Sequence, residues 1–168
     1  MLYVCPASHL ERMLKATGAR HMISLTSSGE PPALDQIDTV PKRLHLAMHD
    51  ITDQRPGLIA PALDQVEQLL DFARDWDWRS PMVVHCHAGI SRSTAAAYVI
   101  ANAFAREMDE FALARMLRER APSATPNRRI VALGDRLLER EGRMIRAIHE
   151  IGRGAEAFAG EPFHYPAR

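Results

Sequence analysis

Cysteine is nearly missing from this chain. Cys5 and Cys86 are the only two in 168 residues, too few for a disulfide framework and at no metal-binding spacing. That scarcity excludes a disulfide-stapled scaffold and a cysteine zinc module, and it suits a reducing compartment. An excess of charge is missing too. Lys+Arg and Asp+Glu both number 21, which leaves no electrostatic footprint for nucleic acid or an anionic membrane. No basic start leads into an apolar signal segment, and no apolar run approaches the roughly 20 residues of a membrane span. The expectation is a soluble, cytoplasmic protein that binds neither nucleic acid nor membrane. Eight histidines are the one surplus, with His45, His49, His85 and His87 the most clustered. Only His45 and His49 share a face, and no His-Glu-x-x-His or Cys-x-x-Cys spacing occurs, so no metal is expected. No internal repeat, heptad run or low-complexity block interrupts the chain. It reads as one domain over residues 1–151, followed by an irregular tail over residues 152–168 that is rich in Gly, Pro and aromatics.

Apolar patterning supplies the elements. Leu2 to Cys5, His21 to Leu25 and the alternating Arg43 to His49 read as strands, and Met82-Val83-Val84 as a short strand buried on both faces. Between them, Ser8 and Glu11 stand in capping-box relation ahead of a helix that Gly18 ends. Thr26 to Asp38 reads as an irregular loop, and the polarity of Ser24 and Thr26 as that of a strand end. Ile59 to Trp76 forms an amphipathic crossover helix, with Trp76 and Trp78 packing over its end. Ser93 to Ala105 is an Ala-rich helix, and Glu110 to Arg120 another, capped by Asp109. Asn127 caps a last helix that runs through Ile130, Leu133, Leu137, Met144 and Ile148. Strands alternating with helices predict a three-layer α/β/α domain with a mostly parallel central sheet of four or five strands.

The stretch that organises the chain is His85-Cys86-His87-Ala88-Gly89-Ile90-Ser91-Arg92-Ser93. It joins the end of the buried strand to the start of the Ala-rich helix, where unpaired N–H groups favour an anion. Gly89 permits a tight turn. A helix N-terminus and a nearby guanidinium both favour thiolate over thiol at Cys86, and the planar fork of Arg92 can grip two phosphate oxygens at once. A thiolate beneath a cradled phosphate can transfer a phosphoryl group through a phosphocysteine.

This His-Cys-x5-Arg-Ser pattern resembles the phosphate-binding loop of the cysteine-dependent protein tyrosine phosphatases. Its Arg-Ser ending leans toward their compact dual-specificity branch, of bacterial type. The resemblance implies hydrolysis of phosphate monoesters on a phosphorylated protein, with phosphate or vanadate as an active-site anion and no cofactor. It implies Cys86 as nucleophile, Arg92 as phosphate clamp and Ser93 as the hydroxyl that helps the thiolate leave. His87, Ala88, Gly89, Ile90 and Ser91 would form the phosphate cradle, with His85 supporting it from the strand end. The run Leu46 to Asp50 resembles the segment ending in the general acid, which makes Asp50 the expected proton donor and Asp53, in the same turn-rich loop, the runner-up. Pro122 to Asn127 resembles the turn before the last helix, where Asn127 has a structural role. Arg128 and Arg129 at that helix start oppose its dipole and are candidates for holding phosphosubstrate. Cys5 reads as a small buried apolar residue rather than a redox partner of Cys86. Two other readings share the motif: a phosphoprotein-binding module without turnover, and a lipid phosphatase, which the lack of lysine in His87 to Ser91 disfavours.

Overall fold

The computed structural model describes residues 1–27, 29–30 and 39–167. Most of the expected Thr26 to Asp38 loop lies outside them. Five strands form one sheet: β1 (Leu2–Pro6), β2 (His21–Thr26), β3 (Lys42–Ala47), β4 (Met82–Cys86) and β5 (Phe163–Tyr165), in the order β3-β2-β4-β1-β5. The first four are parallel, and β5 runs antiparallel to β1. Six α-helices accompany them: α1 (Leu10–Thr17), α2 (Leu63–Arg74), α3 (Arg92–Phe104), α4 (Glu110–Arg120), α5 (Arg128–Leu137) and α6 (Arg143–Ile151). The expected three-layer α/β architecture with a mostly parallel sheet is the observed one.

The sheet alternates between two cores. Val4, Met82, Val84 and Cys86 join Ile23 and Leu25 in a large cluster with α2 to α6, whereas Cys5, Met22 and Val83 pack under α1 with Leu10 and Leu14. β4 is buried at every position because strands pair on both of its edges and helices cover both of its faces, which is why Met82-Val83-Val84 is a continuous apolar run. α3 lies in the middle of the large layer, against β1, β4, α2, α4 and α5, with eleven of its 13 residues buried. Its alanines are thus a packing requirement as well as a helix propensity. At the crossing with α5, a Cβ on Gly134 would come within 2.5 Å of a Val99 methyl carbon, so only glycine allows the two helices this close.

Four expectations need correction. Ser8 does not cap α1: its hydroxyl pairs with His9 Nδ1 at 3.2 Å, and a 3-10 turn over Ala7–His9 precedes the helix. The crossover helix begins at Leu63 rather than Ile59, because Ile59 donates to and accepts from His49 and holds the chain extended there. The last helix is two. Asp135 accepts from the backbone N–H of Gly142 at 2.7 Å and of Met144 at 3.0 Å, so a buried carboxylate starts α6 after a left-handed turn at Glu139, Glu141 and Gly142. The tail is not irregular throughout. Phe163–Tyr165 pairs with β1, and Tyr165 donates to the Leu113 carbonyl at 2.6 Å in the interior.

Candidate active site

β4 ends at Cys86 and α3 begins at Arg92, so residues 87–91 make the whole turn between them. The scaffold holds their carbonyls from outside. Ala7 N–H donates to His87 O (3.1 Å), Gly160 to Ala88 O (2.8 Å), Thr125 to Ile90 O (3.0 Å) and Asn127 to Ser91 O (3.2 Å). In a trans peptide unit the N–H points away from its carbonyl. Fixing those four oxygens outward therefore turns the N–H groups of Ala88, Gly89, Ser91 and Arg92 to the other side, and among the described residues none of them donates to the protein. Gly89 sits at φ +68°, and a Cβ there would lie 2.6 Å from Pro6 N, so the turn and its approach to β1 both demand glycine.

Cys86 lies at the base of this turn, 2% exposed, with Sγ 3.1 Å from the hydroxyl of Ser93 in the first turn of α3. Arg92 is almost as deeply set. One guanidinium nitrogen donates both to the Met48 carbonyl (2.7 Å) and to the Ser27 hydroxyl (3.0 Å), while Nε is buried and has no partner among the described residues. A buried, charged donor left free is costly unless an anion meets it. His85, on the opposite face of β4, shares a 2.7 Å hydrogen bond with Ser24, and burial pushes its pKa down to about 4, leaving it neutral. Ser24 is thus more than strand-end polarity, and Thr26 likewise pairs with His45 at 2.6 Å.

Asp50 comes to the turn from β3. Its Oδ1 accepts from the Ser91 hydroxyl at 2.7 Å and from the Asn127 amide at 2.8 Å. Asp53, also exposed, accepts among the described residues only from Thr52 beside it, at 3.0 Å. Of the two carboxylates, the structure brings Asp50 to the turn between β4 and α3. Its loop is anchored, with His49 and Ile59 closing it and the Arg129 side chain donating to the carbonyls of Thr52 (3.1 Å) and Pro61 (2.6 Å). Arg129 is therefore committed to the scaffold rather than free for a substrate. Asn127 does cap α5, accepting from Arg129 N and Ile130 N, and also restrains Asp50. Sequence reasoning missed Ser27, the Met48 carbonyl and Gly160. Ser27 and Gly160 lie in no motif, and the run that holds Met48 points to Asp50 alone, because each acts through one contact to a residue distant in the chain. Among the described residues there is no cluster of three metal-ligating side chains and no helix long and apolar enough to cross a membrane.

No family model matches the chain, and no curated protein matches it. Solved structures do share its fold. The human tyrosine phosphatase-like serine/threonine/tyrosine-interacting protein is 19% identical, with a TM-score of 0.64 over 83% of this chain and 92% of that one. Human DUSP28 is 18% identical, with a TM-score of 0.62 over 83% and 89%. The Yvh1 phosphatase domain of Chaetomium thermophilum is 19% identical, with a TM-score of 0.59 over 85% and 93%. At these identities the shared feature is the fold, which is that of the protein tyrosine and dual-specificity phosphatases.

Proposed function

We propose that the chain is a cysteine-dependent protein tyrosine phosphatase of the compact, dual-specificity-like kind, hydrolysing phosphate monoesters on a phosphorylated protein. The observation that carries this reading is the outward anchoring of four loop carbonyls around Cys86, which leaves a ring of N–H donors on the inner side. Such a preorganised ring stabilises the equatorial oxygens of a phosphoryl group in transfer. The buried, unpartnered Nε of Arg92 adds a charged donor to it.

The reaction has two steps. The Cys86 thiolate attacks phosphorus and forms an S–P bond as the ester P–O bond breaks, with Asp50 giving its proton to the leaving oxygen. Water then attacks phosphorus, its proton goes to the Asp50 carboxylate, and the S–P bond breaks to free inorganic phosphate. Ser93, 3.1 Å from Sγ, donates to the departing thiolate. No cofactor enters either step. A cytoplasmic setting suits the chemistry, since a reducing compartment keeps both free cysteines as thiols.

The test is Cys86→Ser. Hydrolysis of para-nitrophenyl phosphate is expected to fall by about 10⁴-fold or more, while vanadate or phosphate still binds. Full turnover by that variant ends the proposal.

A further inference from the structure

The chain between α6 and β5 is drawn across the outside of the phosphate loop and fixed at both ends. Gly154 N–H donates to the Thr125 hydroxyl (3.1 Å), Ala155 N–H to the Pro122 carbonyl (2.9 Å) and Gly160 N–H to the Ala88 carbonyl (2.8 Å). Glycine is required at each end: a Cβ on Gly154 would stand 2.5 Å from the Ser123 carbonyl, and one on Gly160 would stand 2.8 Å from that of Gly89. Between these anchors, residues 155–159 are all exposed. Phe158 is 105% exposed, the most exposed large apolar side chain among the described residues.

A groove of about 550 Å³ lies along this strap, lined by Phe158, Ala157 and Arg153 together with Ile90 and Thr125. Ile90 belongs to the loop between β4 and α3, so the groove borders the proposed site along that residue. The charge of the groove also limits the occupant. Its single arginine is balanced by Glu156 at 3.8 Å, so it lacks the surplus of cations that a multiply phosphorylated head group needs.

The geometry points to a peptide subsite: Phe158 and Ile90 grip an apolar residue that flanks the phosphorylated residue of a protein substrate. The inference rests on the phosphatase reading and adds to it a specificity residue and the character of the residue beside the phosphorylated one. An aromatic ring held in water by a strap pinned at both ends is preorganised for contact, because little conformational freedom remains to be lost when a partner covers it.

Steady-state kinetics on a phosphotyrosine decapeptide with leucines flanking the phosphoresidue, set against para-nitrophenyl phosphate, test this directly. In Phe158→Ala the ratio of peptide KM to para-nitrophenyl phosphate KM is expected to rise about tenfold, and Phe158→Leu to recover most of that change. An unchanged ratio overturns the subsite, as does an equal effect on phosphoinositide vesicles. If the wild-type protein turns over neither substrate, the phosphatase reading fails on its own. The subsite then stands or falls by fluorescence-anisotropy binding of the same peptide to the wild type and to Phe158→Ala, with about tenfold weaker binding expected and equal binding overturning it.

Discussion

Cys5 and Cys86 lie on neighbouring parallel strands, one register step apart: Cys5 pairs with His85, and Pro6 with Cys86. Burial does not tell them apart, since they are 0% and 2% exposed. Cys5 points to the α1 face among Leu10, Leu14, Met22 and Val83, where burial pushes its thiol up to about 12. Cys86 points to the α3 face from the last position of its strand, with a hydroxyl 3.1 Å away and a turn of outward-fixed carbonyls around it. The difference teaches that a cysteine acquires chemistry here from standing where a strand stops and a helix starts, on the side toward that helix. The opposed faces also separate the two sulfurs, so a disulfide between them would require the backbone to move.

The sharpest way to break this comparison is to exchange the two roles. Cys86→Ala is expected to lower turnover by about 10⁴-fold or more, whereas Cys5→Ala leaves it within about twofold and costs about 1 kcal/mol of stability. Initial rates and urea midpoints measure both. Alkylation at neutral pH followed by peptide mapping should modify Cys86 and spare Cys5, and equal labelling would dissolve the distinction.

Smaller effects sharpen it on the Cys86 side. Arg92→Lys keeps a positive charge but loses the planar guanidinium, whose one nitrogen meets Met48 and Ser27 while Nε stays free for an anion, and kcat is expected to drop by about 10² to 10³. Asp50→Asn should lower kcat by about 10² and remove the basic limb of the pH-rate profile, while Asp53→Asn leaves both in place. The opposite result moves the proton donor to Asp53.

The last prediction concerns the Cys5 side. Burial holds His85 neutral, with a folded pKa of about 4 below its ordinary 6.5. The unfolded chain therefore takes up the proton first as pH falls. His85 contributes its full stability above the ordinary value and loses it progressively toward the folded one, about 3 kcal/mol in all. Denaturant midpoints for the wild type and for His85→Gln at neutral pH and near pH 4.5 should show a smaller acid-induced loss in the variant. Equal losses would show that this face does not resist charge as its burial implies.

Most strands and helices were legible because each is a local pattern: a short unbroken apolar run, an alternation of period two or a helical period of 3.6. Where reading failed, a distant residue had intervened. Asp135 ends one helix and starts the next from the far side of a turn, His49 holds Ile59 extended before α2, and β1 recruits Phe163–Tyr165 from a stretch without its own periodicity. The choice of Asp50 over Asp53 rested on a resemblance in Leu46 to Asp50, and nothing in either residue's neighbours would have separated them physically. What separates them in space is Ser91, 41 residues away, and Asn127, 77 residues away.

The amino-acid sequence alone determined the strand, the tight turn at Gly89 and the helix that follows. An apolar run, a residue free to take positive φ and a series of alanines act on their immediate neighbours, so their effect is written where they stand. The tertiary structure decided which way the turn's carbonyls point, what restrains the guanidinium of Arg92 and which carboxylate arrives. Those depend on amides from Ala7, Thr125, Asn127 and Gly160 and on oxygens of Ser27 and Met48. A hydrogen bond between residues far apart in the chain is set by where the folded backbone carries them, and it leaves no periodicity in the sequence to be read.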